Sequence, residues 1–127
     1  MKKIIHSNQA PAPIGPYSQA VQSGNTIYLS GQIAIDQDSG KLINSNIQSE
    51  TKQVMSNIQY VLESAGFTFE NVVKCTIFIK NMDDFAEINS VYGEYFLTNP
   101  PARETVEVSR LPKNVNVEIS CIAIKDN

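Results

Sequence analysis

Apolar and polar positions along this chain follow two periods. Val73, Cys75, Ile77 and Ile79 alternate with Lys74 and Thr76, which predicts a strand over Val72–Ile79. Ile47, Val54, Met55, Ile58, Val61, Leu62 and Ala65, with Thr51 completing the stripe, fall at helical spacing, and Gly66 stands where a helix ends. A second helical stripe (Phe85, Ile88, Val91, Tyr92, Tyr95 and Phe96) predicts a helix over Asp83–Leu97, with acidic residues in its first turn and Pro100-Pro101 to stop it. Shorter alternating runs predict strands at Tyr17–Gln22 and Thr26–Ser30, the latter closed by Gly31. Two more follow at Ala102–Val108, with Arg103, Thr105 and Glu107 opposite Val106 and Val108, and at Val115–Ile124. Asn8 to Pro16 carries three prolines and is irregular, and Asp36 to Gly40 is turn chemistry.

The predicted order is β-β-α-β-α-β-β, an α+β domain spanning residues 1–127. It is expected to hold one sheet with both helices on one face. The other face still carries Phe78, Ile122 and Ile124, and with no third helix to cover them a partner subunit is the expected cover.

Composition removes several classes. At 42% apolar and 18% charged residues the chain is not disordered, and 127 residues suffice for one core without a staple. No apolar run is long enough for a membrane span or a secretory signal, so the expected location is the cytosol. Ten basic against thirteen acidic residues, with no basic stripe, disfavour nucleic acid. Cys75 and Cys121 lie in strand-like runs and read as buried free thiols. One histidine and two distant cysteines give no metal-ligand spacing, and neither a phosphate loop nor a nucleophile elbow is present. His6 reads as a surface residue, and no metal or cofactor is called for.

Candidate chemistry rests on a few polar side chains. Arg103 follows Pro100-Pro101-Ala102 at a strand start, where a planar guanidinium suits two-pronged capture of a carboxylate. The plainer alternative, a surface ion pair with Glu104 or Glu107, is the one composition favours. Glu118 sits mid-strand between Val117 and Ile119, as a site carboxylate or, equally on sequence alone, as half of a structural ion pair or part of a solvated face. Tyr17 and Ser30 offer hydroxyls at strand ends, with packing and turn roles commoner for both. Asn89 falls on the apolar stripe of the second helix, where a local helix bond would also explain it.

Pro11-Ala-Pro-Ile-Gly-Pro-Tyr-Ser-Gln-Ala20, Ser30-Gly31-Gln32-Ile33, Val72–Lys80, Pro101-Ala-Arg103 and Leu111–Ile119 together resemble the RidA/YjgF family of enamine and imine deaminases. The likeness runs from about Ile4 to Lys125. It implies a chorismate-mutase-like fold, a homotrimer with ligand clefts between subunits, and no cofactor. The implied reaction is hydrolysis of 2-aminoacrylate and 2-aminocrotonate, through their imines, to 2-oxo acids and ammonia. By motif position Arg103 would clamp the substrate carboxylate and Glu118 would hold or activate water. Tyr17, Ser30, Gly31 and Thr105 would line the cleft and Asn89 would border it. Thr105 stands where a cysteine is common in the family, and Glu104 where a small residue is usual. A hairpin of the last two strands would set Arg103 opposite Glu118. The resemblance instead implies that the last strand runs antiparallel inside the sheet with the preceding one at an edge, so the two residues meet only across a strand or a subunit boundary. A non-catalytic keto-acid binding module and an RNA-acting translation inhibitor are the other functions in play.

Overall fold

The computed structural model describes residues 1–126. Its strands are β1 (Lys2–Ile5), β2 (Ala20–Ser23), β3 (Thr26–Gln32), β4 (Val72–Ile79), β5 (Ala102–Glu107) and β6 (Val117–Ile124). They form one mixed sheet in the order β1-β2-β3-β6-β4-β5. The last strand lies between β3 and β4 and runs antiparallel to both, while β5 lies at an edge, parallel to β4. No helix is long and apolar enough to cross a membrane.

Two helices, α1 (Ile47–Ser64) and α2 (Phe85–Gly93), pack on one face of the sheet. Asn46 caps α1, its side-chain oxygen accepting from the Ser49 N–H at 2.8 Å. Beyond Ser64 the chain turns at Gly66, whose φ of +80° is left-handed and suits a residue without a Cβ. The stripe Val54, Met55, Ile58, Val61 and Leu62 is buried against Ile27, Leu29, Cys75, Ile77, Ile79, Val117, Ile119, Cys121 and Ala123. Cys75 and Cys121 are free thiols on adjacent strands, and burial pushes both above the ordinary range. His6 is exposed.

Several elements depart from the expected pattern. Lys2–Ile5 forms a strand that the sequence reading missed, too short and too charged to show alternation. β2 starts at Ala20 rather than Tyr17, because Gln19 is drawn inward to bond the preceding loop. β3 continues through Gly31 to Gln32, with a register irregularity between Leu29 and Gln32. A second irregularity, at Val72/Lys74, buries Val72 and leaves Val73 exposed, the reverse of the simple alternation. The last strand begins at Val117, since Pro112–Asn114 form a 3₁₀ turn containing two left-handed residues. Asp83 and Asp84 belong to a 3₁₀ turn ahead of α2, which ends at Gly93. Tyr95 and Phe96 still reach the core, but as a turn packed on Phe69.

Buried polar side chains fasten the loops. Glu50, fully buried at the start of α1, accepts from the Asn116 backbone N–H at 2.7 Å and from its side-chain amide at 2.8 Å. Asn57 donates to the Ile33 and Ile35 carbonyls. Gln19 accepts from the Ser7 N–H at 2.6 Å and donates to the carbonyls of Ser7, Ala10 and Pro11. The proline segment has no ladder of its own, so Gln19 sets its path.

Gln19→Leu should therefore leave buried backbone groups unmatched and cost about 2–4 kcal/mol in urea unfolding. A loss below about 0.5 kcal/mol would mean water replaces these bonds freely.

Candidate functional site

Two polar groups of opposite charge stand out, each set by its strand. Glu118 lies in the middle of β6, beside Phe78 of β4. On its other flank runs the irregular stretch of β3, and there its carboxylate crosses the backbone of Gly31. A Cβ on Gly31 would fall 2.8 Å from the Glu118 carboxyl carbon and 3.0 Å from Oε2. The lack of a Cβ is what lets the carboxylate lie this close, and no turn is involved. The carboxylate opens into a cleft of about 350 Å³ lined by Ile14, Tyr17, Ser30, Gly31, Pro112 and Glu118.

The walls of that cleft are held from behind. The Ser30 hydroxyl donates to the Ser18 carbonyl at 2.6 Å, and its N–H bonds the Gln19 carbonyl. Ser30 thus keeps only acceptor capacity toward a ligand. The Tyr17 hydroxyl accepts from the Ile14 N–H at 3.2 Å, folding the loop over the cleft with its own proton unassigned. Among the described residues no hydrogen bond or cation reaches the Glu118 carboxylate, and burial alone pushes its carboxyl above the ordinary range.

Arg103 is the second group. It sits opposite Cys75 at the start of β5, half-buried beneath α2. Its Nη1 donates to Asn89 Oδ1 at 2.7 Å. The guanidinium carbon lies 5.0 Å from the centre of the Tyr92 ring and 5.6 Å from that of Phe85, within cation–π reach of both. Neither carboxylate proposed for a surface ion pair is engaged. Glu104 bonds Lys74 and Thr76 on the opposite face, and Glu107 accepts from the Met82 N–H. Asn89 makes no local helix bond; its side chain is spent on the arginine.

The ladder fixes how the two groups relate. Residues paired across strands share a face, and Arg103 pairs with Cys75 while Glu118 pairs with Phe78, three positions further along β4. An odd separation puts them on opposite faces, Arg103 on the helix side and Glu118 on the open side. One chain cannot close them on one ligand. The last two strands form no hairpin: as the family resemblance implied, β6 lies inside the sheet and β5 at its edge, with β4 between them.

Thr105, two residues beyond Arg103, shares its face, and its hydroxyl is covered and without a partner among the described residues. The Tyr92 hydroxyl is likewise covered, with the Cys75 thiol as its polar neighbour and a pKa raised by burial. Phe85 and Tyr92 belong to the arginine's setting, and Ile14 and Pro112 to the carboxylate's. Sequence reading assigned none of the four to a site, because each looks like ordinary apolar patterning. The described residues hold no group of three or more side chains suited to a metal.

The open face around Glu118 carries exposed apolar side chains beside the polar group of Lys74, Thr76 and Glu104. Ile4, Tyr28, Val106 and Ile124 are each more than 40% exposed, enough to ask what covers them.

Comparison with known proteins gives a consistent picture. A family model described as "Endoribonuclease L-PSP" matches residues 7–125. A RutC family protein of Pyrococcus horikoshii is 49% identical over 99% of this chain and 100% of its own length. The 2-iminobutanoate/2-iminopropanoate deaminase of Mus musculus is 44% identical over 98% of this chain and 93% of its own. Among solved structures, the YjgF gene product of E. coli superposes with a TM-score of 0.93 at 39% identity, covering 98% of this chain and 99% of the other. E. coli TdcF with bound serine gives 0.94 at 36% identity, with the same coverage.

Burial of Glu118 has a pH signature. Its folded pKa is raised, so its ionised form weakens the fold. The penalty is absent below the ordinary glutamate pKa of about 4.3 and complete above the raised folded value. Glu118→Gln should thus unfold at higher denaturant than the parent at pH 7, and the difference should vanish as pH falls through that window. Carboxyl carbon NMR should find Glu118 titrating above the ordinary glutamate value in the chain held as a single copy, and lower once a second copy brings a cation to it. Gly31→Ala should push the carboxylate toward solvent and return its titration toward the ordinary value, at a cost in stability within about 1 kcal/mol.

Proposed function

The chain belongs to the endoribonuclease L-PSP family, whose relatives here include RutC family proteins and 2-iminobutanoate/2-iminopropanoate deaminases, and from that premise we propose that it hydrolyses small 2-imino acids to 2-oxo acids and ammonia. One observation carries the reading. A guanidinium and a carboxylate stand on opposite faces of one sheet, each without a charged partner in its own chain. A second copy seated on the open face would bring its arginine to the first copy's glutamate. The ligand cleft would then lie between subunits, and the resemblance to RidA/YjgF proteins supports a homotrimer. The serine bound to TdcF supports the ligand class, since it offers a carboxylate and a nitrogen on a three-carbon skeleton.

In this reading the guanidinium of Arg103 grips the substrate carboxylate, which fixes C2 of the imine over the neighbouring subunit's cleft. Tyr17, Ser30 and Gly31 line that cleft, and Thr105 lies beside the arginine on its strand. Glu118 holds a water against C2. As the water oxygen bonds to C2, the C=N pair moves onto nitrogen and Glu118 takes the water's proton. The carboxyl then returns the proton to the amine of the tetrahedral intermediate. The C–N bond breaks as the C2 oxygen becomes the ketone, the hydroxyl proton passes back to the Glu118 carboxylate, and ammonia carries it away as ammonium. A protonated imine is already electrophilic, so orientation and one base suffice and no cofactor enters. The apolar walls of Ile14 and Pro112 suit a short alkyl substituent such as those of 2-iminopropanoate and 2-iminobutanoate.

A keto-acid binding module is the second reading, favoured by a relative that holds serine. It needs the arginine and has no use for the glutamate. Action on RNA has the family description behind it, but a net charge of −3 and scattered basic residues oppose phosphate binding.

Arg103→Ala should nearly abolish ammonia release from freshly generated 2-aminoacrylate, and Arg103→Lys should restore little of it. Glu118→Gln should keep 2-oxobutanoate binding in calorimetry while turnover falls by about two to four orders of magnitude. Unchanged turnover would favour the binding module.

Sharing of the site between copies has its own test. Arg103→Ala and Glu118→Gln chains, unfolded together and refolded in equal amounts, should recover about a quarter of wild-type activity. Three in four randomly assembled trimers are mixed, and one of the three sites in each is intact. No recovery would place both residues of each site in one chain.

A further inference from the structure

The groups around Arg103 share one property: none is charged. Asn89 is an amide 2.7 Å from Nη1, Phe85 and Tyr92 are rings at cation–π distance, and Cys75 is the paired residue on β4. The acidic residues close by in sequence are turned elsewhere. Glu104 lies on the other face with Lys74, and Glu107 is bonded to the Met82 backbone. Asn89 alone on the helical stripe gives the arginine a hydrogen bond, from a helix position where an aspartate would fit equally well in size.

We propose that Asn89 is a positioning residue that acts through Arg103: its neutral amide fixes one edge of the guanidinium while leaving the positive charge uncompensated for a substrate carboxylate. The physical case turns on competition. A guanidinium meets a carboxylate with charge-assisted hydrogen bonds about twice as strong as neutral ones. An acidic residue at this place would satisfy the arginine permanently, and any incoming carboxylate would have to displace it. An amide oxygen accepts the same proton at the same distance without neutralising the cation. The rings of Tyr92 and Phe85 restrain the guanidinium without adding a negative charge, and the raised pKa of the Tyr92 hydroxyl keeps that ring neutral as well. With Nη1 tied to the helix, the other N–H groups present a fork of fixed direction, and less side-chain freedom is lost when ligand binds. The inference rests on the carboxylate-clamp role proposed for Arg103, and it gives Asn89 a task other than touching substrate.

The test compares Asn89→Asp with Asn89→Ala by calorimetric titration of 2-oxobutanoate, alongside ammonia release and side-chain nitrogen NMR of arginine. The chain has two arginines, Arg103 and Arg110, so the resonances are readily told apart. Asn89→Asp should weaken 2-oxobutanoate binding by roughly 30-fold or more and raise KM in parallel. The restrained Nη signals of Arg103 should persist, and the melting temperature should stay within about 2 °C of wild type or rise. Asn89→Ala should free the Arg103 side chain in the spectrum and weaken binding by a smaller factor, about five- to tenfold, with kcat changed less than about threefold. A merely structural asparagine would show both variants destabilised and ligand affinity indifferent to which replacement was made. Binding within about twofold of wild type in Asn89→Asp overturns the proposal. Arg103→Ala, run beside them, separates the two levels. Undiminished affinity in that variant would remove the clamp itself, whereas loss there with an unaffected Asn89→Asp would remove only the role of Asn89.

Discussion

Insertion of β6 between β3 and β4 is the constraint on which the rest of the molecule depends. It joins β1–β3 to the β4–β5 pair and supplies Val117, Ile119, Cys121 and Ala123 to the core under the helices. The same pairing determines direction for every polar residue nearby. Because side chains alternate along a strand, the register that buries Ile119 and Cys121 also points Glu118 to the open face. β5 then has only the outer edge of β4 left to it, and there its pairing with Cys75 turns Arg103 under α2. A one-residue slip in either ladder would exchange the faces of every residue on the shifted strand.

Loops are fastened to this frame by buried polar side chains as well as by apolar contact such as that of Ile33, Leu111 and Val115. Gln19, Glu50 and Asn57 each bond backbone of a segment that has no ladder of its own. Their partners are the proline segment, the approach to β6 and the stretch after β3, and the first two of these also border the Glu118 cleft. Unpaired backbone in such places would be costly, so these side chains hold the cleft's shape as well as the fold.

Electrostatically the two candidate groups are treated in opposite ways. Glu118 loses solvent without gaining a cation, and its carboxyl is pushed toward the neutral form. Arg103 keeps its charge but is surrounded by an amide and aromatic rings. Both arrangements leave chemical potential unspent within one chain. That is unusual for structural ion pairs, which satisfy one another locally as Lys74 and Glu104 do.

The sequence by itself determined the elements and the chemistry on offer. Period-two and period-3.6 patterns located four of the six strands closely and α1 almost to its ends, because burial on one face imposes those periods directly. Motif position singled out Arg103, Glu118, Tyr17, Ser30, Gly31, Asn89 and Thr105 as a set. Only the tertiary structure decided facing and partnership. Two ladder irregularities changed which of Val72 and Val73 is buried, and no local pattern encodes a bulge of that kind. The bond from Arg103 to Asn89 joins residues 14 apart on different elements, and the crossing of Glu118 over Gly31 joins residues 87 apart. Alternation says which side chains share a face of one strand. Which face of the sheet that becomes depends on the neighbours each strand acquires, and those are chosen by long-range pairing.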